Sequence, residues 1–240
     1  MAAQSQHSPV PPLEWVGTPA GETDPRTTHL ARCDSCGQPL GWSASDRLTG
    51  LLDRWGWDDR APVALAQLRS RRLPVGLLMV DLDLFKVIND DFGHLVGDQV
   101  LQETGRALRA ATRATDLICR YGGDEFVVLL PDTSLASALA VARRIHGEIR
   151  VAGSIIATRL AADRPFAGLT ASIGAAACIP DPAAQLHDLL SDADAALRDA
   201  KRNGRAQTRI AYSPLMGAAA APLPRPAHYP VTARTSPERR

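Results

Sequence analysis

The hexapeptide Tyr-Gly-Gly-Asp-Glu-Phe at residues 121–126 constrains the fold of this chain more than any other feature. In it, two glycines lead directly into two carboxylates, Asp124 and Glu125. Apolar runs rich in β-forming residues flank it at 117–119 and 126–130, and two such runs around a Gly-Gly pair predict a β-hairpin. The hairpin places both carboxylates at or next to the turn, where a metal ion can meet their charge.

A second acidic motif follows a predicted buried strand earlier in the chain. Residues 75–80 form a nearly continuous apolar run, which is typical of a strand buried on both faces. The run leads into Asp81 and Asp83, which alternation along a strand sends to the same face. Carboxylates held rigidly at a strand end suit Mg²⁺, although a solvated Asp-rich turn would explain either motif alone. The two motifs together therefore indicate Mg²⁺ and a phosphate ester.

Helical and strand patterns alternate between the two ends of the chain. The predicted helices cover about 54–70, 86–112 with a break, 134–150 and 183–203, and the predicted strands are one ending at Asp81, a hairpin at 116–131 and a strand at about 168–177. Strands that alternate with helices indicate a sheet with helices packed on it.

Composition narrows the possible partners and location. The net charge of +1 provides no global field for nucleic acid or an acidic membrane surface, and the longest apolar runs are too short to span a bilayer. We therefore expect no nucleic acid partner and no membrane partner. The N-terminus lacks the pattern of a secretory signal, and four cysteines in 240 residues do not suggest a disulfide scaffold, so we expect a cytoplasmic protein.

Both ends of the chain have the composition of disordered tails. Residues 1–45 are rich in Pro, Gly, Ser and Thr, and residues 213–240 combine an alanine run with frequent prolines. The first tail contains a Cys-x-x-Cys pair, Cys33 and Cys36. This pair provides two of the four ligands of a structural Zn²⁺ site, which His29 or a second protomer could extend. Redox chemistry and plain thiols are the alternatives.

Several motifs, in this order, resemble the GGDEF domain of diguanylate cyclases. They are residues 46–51, 81–98, 121–126, 170–174 and 193–205. The resemblance covers residues 46–212 and implies an α+β fold, a nucleotidyl-cyclase-like sandwich with a central, largely antiparallel sheet flanked by helices. It also implies synthesis of cyclic di-GMP from two GTP molecules, with release of two pyrophosphates.

The resemblance assigns the metal and catalytic residues. Asp81, the backbone carbonyl of Leu82 and Asp124 would bind metal, with two Mg²⁺ ions per GTP site and Mn²⁺ as a substitute. Asp124 would also help to deprotonate the ribose 3′-hydroxyl, and Glu125 would supply a second carboxylate at the metal centre. Lys86 could stabilise charge that develops on the phosphates.

Guanine recognition falls to Asn89 and Asp98 in the family pattern, because their oxygens accept from the guanine N–H groups. Nine residues at about 100° each place these side chains on opposite sides of a straight helix. We therefore expect the helix to be interrupted at Gly93 and Gly97. For Asp98 an N-cap or first-turn role is the alternative. His94 matches a further substrate-contact position, and a structural role is its alternative.

Two pairs of residues match sites that bind phosphate or product. Lys201 and Arg205 match the pair that holds the triphosphate, and their i, i+4 spacing predicts one helix face; complementing the helix C-terminus is the alternative. Arg113 and Asp116 match the R-x-x-D site through which cyclic di-GMP inhibits many family members. A surface salt bridge would also explain this second pair. Asp83, the second carboxylate of the motif that follows the buried strand, belongs to neither pair, and we expect it to have a supporting, structural role.

Three positions depart from the family pattern, in which Asn, Tyr and Asn are usual where this chain has Asp53, Arg198 and Ala206. None of them removes an assigned ligand.

Because each domain would hold one GTP, the resemblance implies a C₂ homodimer. A non-catalytic module that binds cyclic di-GMP or GTP is the alternative function. The intact hexapeptide favours the enzyme, whereas the lack of a recognisable sensor domain keeps the alternative open.

Overall fold

The computed structural model describes residues 44–160, 166–181 and 184–211. Nearly all of both predicted tails, with Cys33 and Cys36, lies outside the described residues, so the zinc hypothesis stays a prediction. Within the described ranges, no helix combines the length and the apolar character needed to cross a membrane.

Helices and strands alternate through the described part of the chain, as the sequence pattern predicts. The helices are α1 (Arg54–Arg71), α2 (Phe85–Phe92), α3 (His94–Ala111), α4 (Leu135–Arg159) and α5 (Leu186–Arg202). The strands are β1 (Val75–Leu82), β2 (Leu117–Arg120), β3 (Glu125–Pro131), β4 (Ala171–Cys178) and β5 (Thr208–Ile210).

The strands form one five-stranded sheet in the order β2-β3-β1-β4-β5. All neighbours are antiparallel except β4 and β5, which are parallel. This confirms the predicted α+β fold with a largely antiparallel sheet, and the β2–β3 pairing confirms the predicted hairpin. The β1–β3 register places Asp81 opposite Glu125, so the two acidic motifs lie at the same end of the sheet.

The central strand β1 is buried along its whole length because helices cover both faces of the sheet. Leu78 and Val80 pack in a cluster with side chains of α3 and α4. Leu77 and Met79 point the other way and pack with side chains of α1 and α5. As the sequence predicts, the continuous apolar run is explained by a strand with a hydrophobic layer on each side.

The predicted interruption between α2 and α3 is present and lies at Gly93, whose φ of 83° is in the left-handed region. Gly97 is not part of the break, because it lies inside α3. It has a different role. A Cβ at Gly97 would overlap the side-chain amide oxygen of Asn89, so the missing side chain lets Asn89 approach α3.

The end of α4 differs from the sequence-based prediction, and the end of α5 decides whether Lys201 and Arg205 share a helix face. Helix α4 runs past residue 150 to Arg159, because Ala152 and Ile156 continue its buried stripe. Helix α5 ends at Arg202, and Gly204 beyond it has a φ of 103°. Arg205 therefore lies outside the helix, and the prediction that it shares a helix face with Lys201 is wrong.

Candidate active site

Carboxylates from two sequence-distant motifs meet where β1 ends and β3 begins. Asp81 lies opposite Glu125, and the Leu82 N–H donates to the carbonyl oxygen of Asp124 at 3.3 Å. Asp81 is only 7% exposed. Burial raises the pKa of its carboxyl group, the Lys201 ammonium opposes this shift, and the negative charges of Asp124 and Glu125 add to it. This crowding of negative charge favours a bound cation.

Lys201 reaches this acidic end of the sheet from the last turn of α5. Its Nζ donates to Asp81 Oδ2 at 2.6 Å, and about a third of its side chain remains exposed. Because Lys201 lies in the last turn of α5, it also complements the helix C-terminus, in addition to its contact with Asp81. Its predicted contact with a triphosphate stays a prediction.

The oxygen atoms at this end of the sheet fit an incompletely enclosed magnesium site. Asp81, Asp124 and the Leu82 carbonyl oxygen supply hard oxygen ligands of the kind that Mg²⁺ prefers. Among residues 44–160, 166–181 and 184–211, no three His, Cys, Asp or Glu side chains form a metal-binding group. Mg²⁺ commonly keeps several waters and uses one or two carboxylates together with substrate phosphates. The residues therefore fit a metal that arrives with a phosphate ligand.

Arg120, the last residue of β2, holds the turn of the hairpin, a role that the sequence did not indicate. Its Nε and Nη2 donate to the carbonyl oxygen of Gly123 at 3.1 and 2.8 Å, and its Nη1 lies 3.2 Å from Asp46 Oδ2. Burial opposes ionisation of Asp46, but hydrogen bonds from Thr49 and the charge of Arg120 lower its pKa overall. The start of the domain is thereby joined to the hexapeptide by an ionised pair.

The N-terminus of α1 packs against the first residue of the hexapeptide. The Arg54 guanidinium carbon lies 3.8 Å from the centroid of the Tyr121 ring, and Trp57 meets the same ring edge-on. Asp53 caps α1 by accepting from the Gly56 N–H at 2.7 Å. This departure from the usual Asn keeps the cap, because both residue types are good N-caps.

The proposed guanine-binding residues lie on either side of the break between α2 and α3. Asn89 is half-buried on α2, and its amide packs against Gly97, next to the exposed Asp98. Because α3 begins at His94, Asp98 lies beyond the first turn, and the N-cap alternative is wrong. His94 and Lys86 are both exposed. The interruption therefore brings Asn89 beside the helical turn that carries Asp98, as the guanine-site hypothesis requires.

Asp83 lies beside the acidic cluster formed by Asp81, Asp124 and Glu125, and its carboxylate already accepts hydrogen bonds from other residues of the protein. It is 7% exposed and accepts hydrogen bonds from Thr170 Oγ1 and Ser172 Oγ, both at 2.7 Å, and from the Ala206 N–H at 3.0 Å. These contacts agree with the supporting, structural role expected for Asp83. Lys201 of α5 donates to Asp81 and Ala206 of the following loop donates to Asp83, whereas Thr170 and Ser172 reach Asp83 from the start of β4.

Of the Arg113–Asp116 pair, Asp116 lines a cavity of about 300 Å³ together with Arg109 and Arg60, apart from the acidic cluster. The backbone N–H of Arg113 donates to Asp116 Oδ2 at 2.7 Å. The buried Asp116 Oδ1 has no hydrogen-bond partner. Burial raises the pKa of this carboxyl, which the Arg113 hydrogen bond and nearby arginine charges oppose.

Comparison with known proteins identifies the family. Residues 43–207 match the family model described as diguanylate cyclase, GGDEF domain, which covers more than half of the chain. The chain belongs to the GGDEF-domain family. The GGDEF domain is 41% identical over 169 residues to the response regulator PleD of Caulobacter vibrioides. It is 39% identical over 170 residues to the diguanylate cyclase TpbB of Pseudomonas aeruginosa.

These matches include only part of each relative. They cover 69% of this chain in both cases, but 36% of PleD and 37% of TpbB. Among solved structures, the GGDEF domain of DgcB from Caulobacter crescentus in complex with c-di-GMP is similar, with a TM-score of 0.63 and 28% identity. That comparison covers 72% of this chain and 98% of the DgcB domain, so the likeness extends over a complete GGDEF domain.

Proposed function

We propose that this GGDEF domain is a diguanylate cyclase that condenses two GTP molecules into cyclic di-GMP and releases two pyrophosphates in the cytoplasm. The observation that carries the proposal is the meeting of the two acidic motifs, with Asp81 opposite Glu125 and Leu82 hydrogen-bonded to Asp124. Oxygen ligands gathered at one end of a rigid sheet suit phosphoryl transfer, which depends mainly on positioning and charge stabilisation.

The acidic cluster would hold the metal and accept a proton. Asp81, the Leu82 carbonyl and Asp124 would bind Mg²⁺, at two ions per GTP or with Mn²⁺ in its place, and Glu125 would add negative charge there. When bound, the metal would neutralise phosphate charge and favour the ionised 3′-oxygen. Asp124 would take the proton from the ribose 3′-hydroxyl. Lys86 is exposed on α2, from which it could extend towards the phosphates.

The remaining assigned residues would bind the two ends of GTP. Asn89 and Asp98 would accept from the guanine N–H groups, with His94 as a further contact at the start of α3. Lys201 and Arg205 would bind the triphosphate. Lys201 could bridge a phosphate and Asp81, because its ammonium has three donors and one of them already meets Asp81.

The reaction would need two copies of the domain. In each half-reaction the 3′-oxygen of one GTP forms a bond to the α-phosphorus of the facing GTP. The bond from that phosphorus to the pyrophosphate oxygen breaks, and the 3′-hydroxyl proton passes to the carboxylate. One domain supplies one nucleotide, so a C₂ homodimer with the two sites facing each other is the assembly that completes both bonds.

Product inhibition is proposed at Arg113 and Asp116. The partnerless Asp116 Oδ1 at a cavity supports this, because a buried acceptor gains most from a ligand N–H. Cyclic di-GMP offers guanine N–H donors together with two phosphates, for which Arg113 and the neighbouring Arg109 supply charge. The same cavity would serve a non-catalytic cyclic di-GMP-binding module, the second candidate function.

Mass spectrometry of the products separates the two candidates. Folded protein, freed of bound nucleotide, is incubated with GTP and Mg²⁺, and the Asp124→Asn variant is incubated in parallel. We expect cyclic di-GMP and pyrophosphate from the wild type and little of either from Asp124→Asn. Binding of cyclic di-GMP without any synthesis would instead support the binding module.

A further inference from the structure

The loop that follows α5 has a backbone conformation that side-chain-bearing residues rarely adopt. Gly204, Arg205 and Ala206 have φ values of 103°, 57° and 49° in succession. Glycine adopts this region freely, but for arginine and alanine the Cβ atom crowds the following carbonyl. Strained residues of this kind persist where the surrounding structure holds them.

Hydrogen bonds from several elements hold this loop. The Arg205 N–H donates to the Ala200 carbonyl at 3.1 Å, and the Gln207 side chain donates to the same carbonyl at 3.0 Å. The Ala206 N–H instead donates to Asp83 Oδ2 at 3.0 Å. This bond links the loop to the chain just beyond β1, and its acceptor is two residues from Asp81.

Asp83 is itself fixed in place before it meets the loop. Its two oxygens accept from the hydroxyls of Thr170 and Ser172, and its own N–H donates to the Thr170 carbonyl at 2.9 Å. The carboxylate is buried and cannot turn without breaking these bonds. It is therefore a rigid link between the strand end that carries Asp81 and the loop that carries Arg205.

We propose that Asp83 is a positioning residue for the triphosphate. Through the Ala206 N–H it fixes the backbone at Arg205, so that the arginine side chain extends from a fixed point near the acidic cluster. Asp83 does not touch the nucleotide in this arrangement. The inference rests on the proposed function, in which Arg205 binds the phosphates of GTP, and it adds the residue that places Arg205 there.

A double-mutant cycle tests this link. The probe is 3′-deoxy-GTP with Mg²⁺, which lacks the attacking hydroxyl, and its dissociation constant is measured by calorimetry. We expect Asp83→Ala and Arg205→Ala each to weaken binding by about tenfold or more, and the double variant to bind no more weakly than the weaker single variant. Asp83→Ala combined with Asn89→Ala, at the guanine end, should instead show losses that multiply.

Two further variants distinguish positioning from general stability. Ser172→Ala removes the donor to Asp83 Oδ1 but keeps the Thr170 and Ala206 bonds to Oδ2, so it should lower the melting temperature and weaken nucleotide binding much less than Asp83→Ala does. Asp83→Asn keeps an acceptor of the same shape and should restore part of the affinity lost in Asp83→Ala. If Asp83→Ala does not fold, the cycle with Arg205→Ala is run with Asp83→Asn.

The outcomes separate this inference from the proposed function. Losses that multiply for Asp83 and Arg205 would overturn the positioning role, and so would a Ser172→Ala variant as weak in binding as Asp83→Ala. A wild-type protein that does not bind 3′-deoxy-GTP with Mg²⁺ at all would overturn the proposed function and the inference together.

Discussion

Replacing Gly97 by alanine tests how α2 and α3 are packed around the proposed guanine site. An added Cβ at Gly97 would overlap the Asn89 amide oxygen and lie 3.0 Å from its Cγ and 3.4 Å from the Phe85 ring. The Phe85 contact is tolerable, whereas the Asn89 contact is not. The Asn89 side chain must therefore turn away from α3, and it would lose its place beside Asp98.

Two opposing effects set the size of the stability change. Alanine in a helix interior is more favourable than glycine by about 1 kcal/mol. Overpacking against Asn89 costs about 1–3 kcal/mol. We therefore expect Gly97→Ala to lower the free energy of unfolding by roughly 0–2 kcal/mol, a small change. Nucleotide affinity should fall more clearly, by about tenfold or more, because a hydrogen bond to guanine is lost.

The assay combines urea unfolding with calorimetric binding of 3′-deoxy-GTP and Mg²⁺. Gly147→Ala is the matched control, because Gly147 lies inside α4 and an added Cβ meets nothing within 4 Å. It should stabilise the domain by about 1 kcal/mol and leave binding unchanged. In an Asn89→Ala background, Gly97→Ala should stabilise as well. A Gly97→Ala protein with wild-type affinity would refute the reasoning.

Three further predictions concern groups near the hairpin. Arg120→Ala should lower the free energy of unfolding by about 1–3 kcal/mol in urea titrations, because the Gly123 carbonyl and Asp46 both lose a donor; unchanged stability would contradict the contacts described. Asp46→Asn should destabilise the domain at pH 7. Because folding lowers the pKa of Asp46 below its usual 3.8, this deficit should vanish as the pH falls through the folded-state value, and a pH-independent deficit would exclude this origin. Burial raises the pKa of Cys119 to about 12, so its thiol should resist iodoacetamide until the domain unfolds, as peptide mass mapping would show.

The sequence predicts those parts of the fold that depend on local pattern. The hairpin follows from a Gly-Gly pair between apolar runs, and the buried β1 follows from an uninterrupted apolar segment. The break at Gly93 could be expected because the family resemblance assigns Asn89 and Asp98 to one guanine site, on which they cannot converge from a straight helix. These features are confirmed because each depends on residues that are close together in the chain.

Contacts between residues that are far apart in the chain could not be predicted from the sequence. The pairing of Lys201 with Asp81 and the three donors to Asp83 depend on how α5 and β4 pack against β1, which no local pattern encodes. The i, i+4 argument for Lys201 and Arg205 was wrong because α5 ends at Arg202, before Arg205. Arg120 carries no distinguishing signal in a single sequence, although it directly precedes the hexapeptide.

The measurement that tests the central claim most directly is the specific rate of cyclic di-GMP synthesis from GTP and Mg²⁺ over a wide range of protein concentrations. The account predicts product by mass spectrometry, with a rate per mole of protein that rises with concentration as two domains meet. Folded, nucleotide-free protein that forms no cyclic di-GMP at any concentration would contradict it.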